Sequence, residues 1–134
     1  MIYLLDTNVI SALRRPYRTP NVQTWLSDKP AQSFYLPIIT VGELEKGIAR
    51  QAEVNPGFAA DLRLWIDATL AAYADRILPF DMEAARIWGR LAATLGHSGS
   101  DMMIAAIALS RDATVVTRNV RDFQPTGCRV ENPF

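Results

Sequence analysis

Met1-Ile2-Tyr3-Leu4-Leu5-Asp6-Thr7-Asn8 is the stretch on which the fold turns. Residues 2–5 are apolar without alternation, the pattern of a strand covered on both faces in a parallel sheet, and an aspartate ends the run. Asn8 to Leu13 suits a short helix, Pro16 and Pro20 break the chain, and Val22 to Leu26 suits a second short helix. Phe34 to Leu36 reads as the next strand, stopped by Pro37. Thr40-Val-Gly-Glu43 has the spacing of a capping box, in which each side chain bonds to the other's backbone N–H, and it opens a helix carrying Val41, Leu44 and Ile48.

Further along, Asn55-Pro-Gly57 ends that helix, and Phe58, Leu62, Trp65, Ile66, Leu70 and Tyr73 mark a long amphipathic one. Ile77-Leu-Pro79 is a third strand, after which Asp81 caps a helix with Ile87, Trp88, Leu91 and Leu95 on one face. Past the Gly96–Gly99 loop, Asp101-Met-Met-Ile-Ala-Ala-Ile-Ala-Leu109 is apolar enough to require burial. Strands at 113–116 and 129–131 complete the chain. Strands alternating with helices give an α/β fold, a three-layer α/β/α sandwich with a mainly parallel sheet. With 134 residues and no linker, repeat or low-complexity segment, the expectation is one domain.

Composition narrows the function. No apolar run reaches the roughly eighteen residues of a membrane span, and the first residues lack the basic start and small-residue cleavage site of a signal peptide, which points to a soluble cytoplasmic protein. A single cysteine, Cys128, permits no internal disulfide and suits a reducing compartment, and it reads as a buried filler. Formal charge is zero, so any nucleic-acid surface has to be local. Arg14, Arg15 and Arg18 follow the first strand while Arg118 and Arg121 follow a late one, and Arg14, Arg15, Arg118 and Arg121 are candidates to hold a phosphate backbone.

Ligand sites of open parallel sheets gather beyond the carboxyl ends of the strands. Asp6 follows the first strand there and Thr117-Arg118-Asn119 with Asp122 follows the fourth, while helices starting at the same edge bring in Glu43 and Asp101. Each acid also has an ordinary role open to it: Asp6 as a helix cap, Glu43 in the capping box, Asp101 at a helix dipole or as partner of Ser98, Asp122 in an Asx turn. Together, four like charges in one cleft call for a cation, and hard oxygen donors favour magnesium or manganese. Thr7, Asn8, Thr117 and Asn119 are candidates to orient a carboxylate or water. Other chemistries are poorly supplied. His97 is the only histidine, Cys128 has no base near it in sequence, Asp6-Thr-Asn8 lacks the second aspartate of an aspartyl-phosphate phosphatase, and the only lysines, Lys29 and Lys46, are misplaced for a phosphorylated receiver domain.

The motifs Leu4-Leu-Asp-Thr-Asn-Val-Ile10, Val41-Gly-Glu-Leu-Glu-Lys-Gly47, Asp101 to Leu109 and Thr117-Arg-Asn-Val-Arg-Asp-Phe123, in this order and spacing, resemble a PIN-domain ribonuclease of the VapC toxin type. The similarity runs from Met1 to Phe134, implying one PIN-like domain over residues 1–134. It further implies a Mg2+- or Mn2+-dependent endoribonuclease that is the toxin of a type II toxin-antitoxin pair, with the metal held by Asp6, Glu43, Asp101 and Asp122. The partners it implies are an RNA substrate, a VapB-like antitoxin, promoter DNA reached only through the antitoxin complex, and a second copy of the chain in a homodimer. Many relatives carry an aspartate where this chain has Asn119, which leaves Asp122 as the fourth acid, and a proline often stands where Ser98-Gly99-Ser100 stands here. The rival reading is a PIN-fold subunit of a DNA-bound regulatory complex with little nuclease activity of its own.

Overall fold

A computed structural model describes residues 1–134. Five strands, β1 (Tyr3–Leu5), β2 (Phe34–Pro37), β3 (Ile77–Leu78), β4 (Thr114–Val116) and β5 (Arg129–Glu131), form one sheet in the order β3-β2-β1-β4-β5. Every pairing is parallel, so all carboxyl ends share one edge. From β1 the chain builds outward through β2 to β3, then returns to β1's other side for β4 and β5. The order thus reverses at β1, and a cleft opens where neighbouring connections diverge.

Helices α1 (Thr7–Leu13), α2 (Pro20–Ser27), α3 (Ile38–Val54), α4 (Pro56–Ala72), α5 (Met82–Leu95), α6 (Ser100–Ser110) and the short α7 (Val120–Phe123) cover both faces. The alternation of side chains along a strand explains the two cores. Leu4 and Val115 point into one, with Ile104, Ala105, Ile107, Ala108 and Phe123, while Leu5 and Val116 point into the other, with Val9, Ile10, Leu36, Leu44 and Ile66. Leu4, Leu5, Ile104 and Ile107 are fully buried. Truncating any of them to alanine costs about 2–5 kcal/mol. Alanines at 105, 106 and 108 give α6 a slim profile that lets it lie close against the sheet. No helix is long and apolar enough to cross a membrane.

Several boundaries depart from expectation, and one matters for function. Helix α3 starts at Ile38 with Pro37 before it and no side-chain cap, three residues earlier than the Thr40–Glu43 spacing predicted. Pro37, expected to stop β2, is its last residue: β2 pairs with β3 there, and the missing N–H is tolerated. Thr40 is therefore inside the helix, fully buried, so no capping box exists and Glu43 is free of that duty. At α6 the N-cap is Gly99 with no side-chain cap bond, so Asp101 is not a capping partner of Ser98. Asp122 sits in the one-turn helix α7 rather than in a loop turn. Prolines at the first position of α2 and α4 extend those helices upstream of the predicted starts, a place where proline loses no hydrogen bond. Asp81 does cap α5, accepting from the N–H of Ala84 at 3.0 Å, and Gly96 in the left-handed region ends it. Cys128 is half-buried beside Thr126.

Candidate active site

At the carboxyl edge, Asp6 leaves the central strand and is itself buried, with 4% of its surface exposed. Its backbone N–H still belongs to the sheet, donating to the carbonyl of Val116 at 3.0 Å. The carboxylate accepts from the Thr7 N–H at 2.8 Å, from Thr117 Oγ1 at 2.7 Å and from Asn8 Nδ2 at 3.3 Å. The capping role is therefore real and is shared with a second element. Thr117, fully buried after β4, joins Asp6 across 111 residues of sequence. Its hydroxyl also accepts from Asn8 Nδ2 at 3.2 Å and from the Asn119 N–H at 2.9 Å. Asn8 Oδ1 in turn receives the Arg118 N–H at 3.2 Å. These bonds tie the β1 and β4 exits into one rigid floor.

Opposite that floor, Glu43 comes from the second turn of α3 and accepts from Thr7 Oγ1 at 2.7 Å and from Ser100 Oγ at 3.3 Å. Ser100 begins α6, and Asp101 follows in its first turn, half-buried. Three helices and two strand ends thus converge. Asp6, Thr7, Asn8, Ser11, Glu43, Asp101, Arg118 and Asn119 line one open cleft of about 580 Å³, with Arg15, Arg18 and Phe134 farther out. Asp122 does not line it but lies close enough to act electrostatically on both Asp6 and Asp101.

Charge is what distinguishes the cleft. Five ion pairs occur in the chain, and none includes Asp6, Glu43, Asp101 or Asp122. Burial raises the Asp101 carboxyl to about 6, reinforced by the negative charges of Asp6, Asp122 and Glu43. Asp6 is also raised, first by burial and then by Glu43 and Asp122, against the pull of the Thr117 hydroxyl and the Thr7 N–H. Neutralisation by a proton or a cation is what this environment favours.

Whether the residues suit a metal has two answers. In chemistry they do, because carboxylates and hydroxyls are hard donors matched to Mg2+ or Mn2+ rather than to thiolate-seeking metals. In placement they are not collected: no group of three or more acidic, histidine or cysteine side chains is arranged to hold a metal ion as it stands. The hydrogen bonds explain this in part, since Thr7 and Ser100 engage both Glu43 oxygens and Thr117 with Thr7 engages both of Asp6. Electrostatic coupling among the acids reaches farther than coordination distance, so the two observations are compatible.

The arginines divide. Arg15 and Arg118 line the cleft as candidates from the sequence, whereas Arg14 turns into a neighbouring groove, its guanidinium 4.7 Å above the Phe58 ring. Arg121 is exposed outside the cleft, and Arg18 lines it in its stead. Trp65 and Trp88 pack against the two cores. His97 is exposed and outside the cleft lining. Phe134 is a cleft residue to which the sequence assigned no role, since a terminal Asn-Pro-Phe carries no local signal of where it docks.

A parallel five-stranded α/β/α sandwich with four acids at its carboxyl edge has the form of a PIN domain, and the PIN-domain family model matches residues 3–126. The chain belongs to the PIN-domain family, and within it is closely related to the VapC-type toxins of toxin-antitoxin systems. It is 35% identical to the VapC ribonuclease Y4jK of Sinorhizobium fredii, across 98% of this chain and 96% of that one. FitAcB from Neisseria gonorrhoeae superimposes with a TM-score of 0.86 at 36% identity, covering 98% of both chains. FitAB bound to an IR36 DNA fragment matches with a TM-score of 0.78 at 34% identity, over 98% of this chain and 95% of that chain.

Proposed function

We propose that the chain is a metal-dependent endoribonuclease, the toxin of a type II toxin-antitoxin pair, formed as one PIN-like domain over residues 1–134. The observation that carries this reading is the set of carboxylates gathered at one cleft with no ion-pair partner, partly buried and close enough to raise one another's pKa. The likeness to a VapC ribonuclease supports it. Asp6, Glu43 and Asp101 are the residues that would hold Mg2+ or Mn2+, with Asp122 contributing from the side of Asp6 and Asp101. When bound, such an ion supplies positive charge to a phosphate and lowers the pKa of water.

The chain's own residues do the remaining work. Asp6, fixed by Thr117, Thr7 and Asn8, provides an immobile negative anchor at the base of the cleft. Asp101, raised to about 6 by burial and by the neighbouring acids, is the carboxylate whose charge a cation in the cleft would relieve. Glu43 is oriented by two hydroxyls from α1 and α6, so the three helices are registered to one another through it. Arg15 and Arg18 provide donors for the flanking backbone of RNA. Hydrolysis in this sense leaves a 5′-phosphate and a 3′-hydroxyl. Purified protein incubated with RNA and Mg2+ is expected to cut, Asp6→Asn and Asp101→Asn to be silent, and chelator to stop the reaction. Undiminished cleavage by both variants would sink the mechanism.

A homodimer in the cytoplasm, restrained by a small VapB-like antitoxin and reaching promoter DNA only through it, completes the proposal. The FitAB structure with DNA favours that arrangement and also the second reading, a PIN-fold subunit of a DNA-bound regulatory complex with little nuclease activity. Growth arrest on expression that disappears in Asp101→Asn separates them, because a passive subunit needs no acid.

A further inference from the structure

The cleft is polar in a directional sense: acids occupy its floor, and all its arginines lie toward one side, on the α1–α2 connection and the β4 exit. Arg15, Arg18 and Arg118 have no carboxylate partner in any ion pair. A smaller notch of about 140 Å³ opens from the same side, lined by Arg18, Thr19, Asn21, Val22, Arg118 and Phe134. Arg18, Thr19, Arg118 and Phe134 line both spaces, and Arg118 with Phe134 forms one side of the wall between them.

That wall is built in layers. The Arg118 guanidinium carbon stands 4.1 Å from the centroid of the Phe134 ring, so the guanidinium lies over the ring in cation–π contact. Phe134 packs against the second core from behind, its carbonyl accepts from Asn21 Nδ2 at 3.1 Å, and its N–H donates to Asn132 Oδ1 at 3.0 Å. The Arg118 backbone is pinned by Asn8, whose amide also reaches Asp6. An exposed arginine is thereby held over an aromatic ring, with its backbone tied through Asn8 to the acid at the cleft floor.

Resting on the nuclease reading above, we infer that the Arg118–Phe134 pair is a nucleobase platform that receives one unpaired base of the bound RNA. A guanidinium plane accepts a base on its open face by stacking and cation–π attraction, which a base held inside a duplex cannot reach. Arg15 and Arg18 take the neighbouring phosphates, so the strand leaves the acids over the α1–α2 side. Arg118 touches the base, and Phe134 is a positioning residue that keeps the plane in place.

The test is binding, so that it stands apart from cleavage. Asp101→Asn protein with short fluorescent single-stranded RNAs, each carrying one abasic position, is expected to lose about five- to a hundredfold in affinity at one position. Adding Arg118→Lys keeps the charge and removes the plane. This double variant is expected to bind intact and abasic RNA equally while retaining its salt dependence. Arg15→Ala is expected instead to lower the magnitude of the log–log salt slope by about 0.7 with the abasic effect intact. Phe134→Leu preserves apolar bulk and is expected to reduce the abasic discrimination with an unchanged melting temperature. Equal binding of intact and abasic RNA by Asp101→Asn, full discrimination by the double variant that adds Arg118→Lys, or equal binding of duplex would overturn the platform while leaving RNA cleavage as it was found. No RNA binding at all would overturn the platform and the RNA substrate together.

Discussion

Glu43 and Glu45 stand two residues apart on the same helix and meet opposite fates. Glu45 faces outward and makes a two-pronged pair with Arg63, both contacts at 2.6 Å, which holds its carboxyl below the usual range. Glu43 faces the cleft, receives only hydroxyls, and helps push Asp101 up to about 6. A helix turns 100° per residue, so two positions place side chains on nearly opposite faces. The contrast teaches that an exposed acid of α3 is neutralised by an arginine of α4, whereas the acid that faces the cleft meets other acids and only neutral hydroxyl donors.

The largest effect should come from removing an inner acid. Asp6→Asn and Asp101→Asn are expected to lower RNA cleavage on the order of 10²–10³-fold, the size seen when one transition-state charge contact is lost, whereas Arg63→Ala should leave it unchanged. Equal losses from both regions would erase the distinction. Thr117→Val comes next. It strips a buried carboxylate of its shortest bond, and urea unfolding should show a cost of about 1–3 kcal/mol, with the acidic limb of any cleavage profile moved to higher pH.

Asp101→Asn should also stabilise the metal-free chain. A carboxyl whose folded pKa lies near 6, above its unfolded value of 3.8, binds more protons in the folded state between those limits, so stability falls as pH rises through 6. After allowance for solvent screening of a half-exposed group, the gain at pH 8 is about 1 kcal/mol and vanishes below pH 4. Thermal melts at the two pH values measure it, and a gain of equal size at both would disprove the origin in charge. Smallest of all, Glu45→Gln should barely move the melting temperature, because exposed pairs contribute little.

Much of this was legible beforehand. Leu4 and Leu5, and Met102 with Ile104 to Ala108, are apolar in unbroken runs because they are buried, which is the pattern of a covered parallel sheet and of a helix packed inside. Thr40 to Glu43 misled because sequence spacing cannot say where a helix begins when tertiary packing buries the threonine, and the correction strengthens Glu43 as a site residue. Arg121 misses the cleft from the one-turn helix α7, and Arg18 reaches it from the turn Pro16–Arg18 between α1 and α2, placements that depend on long-range packing rather than on local spacing. Phe134 could be placed only by the long-range contacts that bring it beside Arg118 and Asn21.

The central claim is that the inner acids act as a group toward a cation. Calorimetric titration of Mn2+ into the wild-type chain, Asp101→Asn and Glu45→Gln at neutral pH tests it most directly. Saturable binding is expected in the wild type and in Glu45→Gln, with binding lost or weakened at least tenfold in Asp101→Asn. The same isotherm for all three proteins, or none in any, would contradict it.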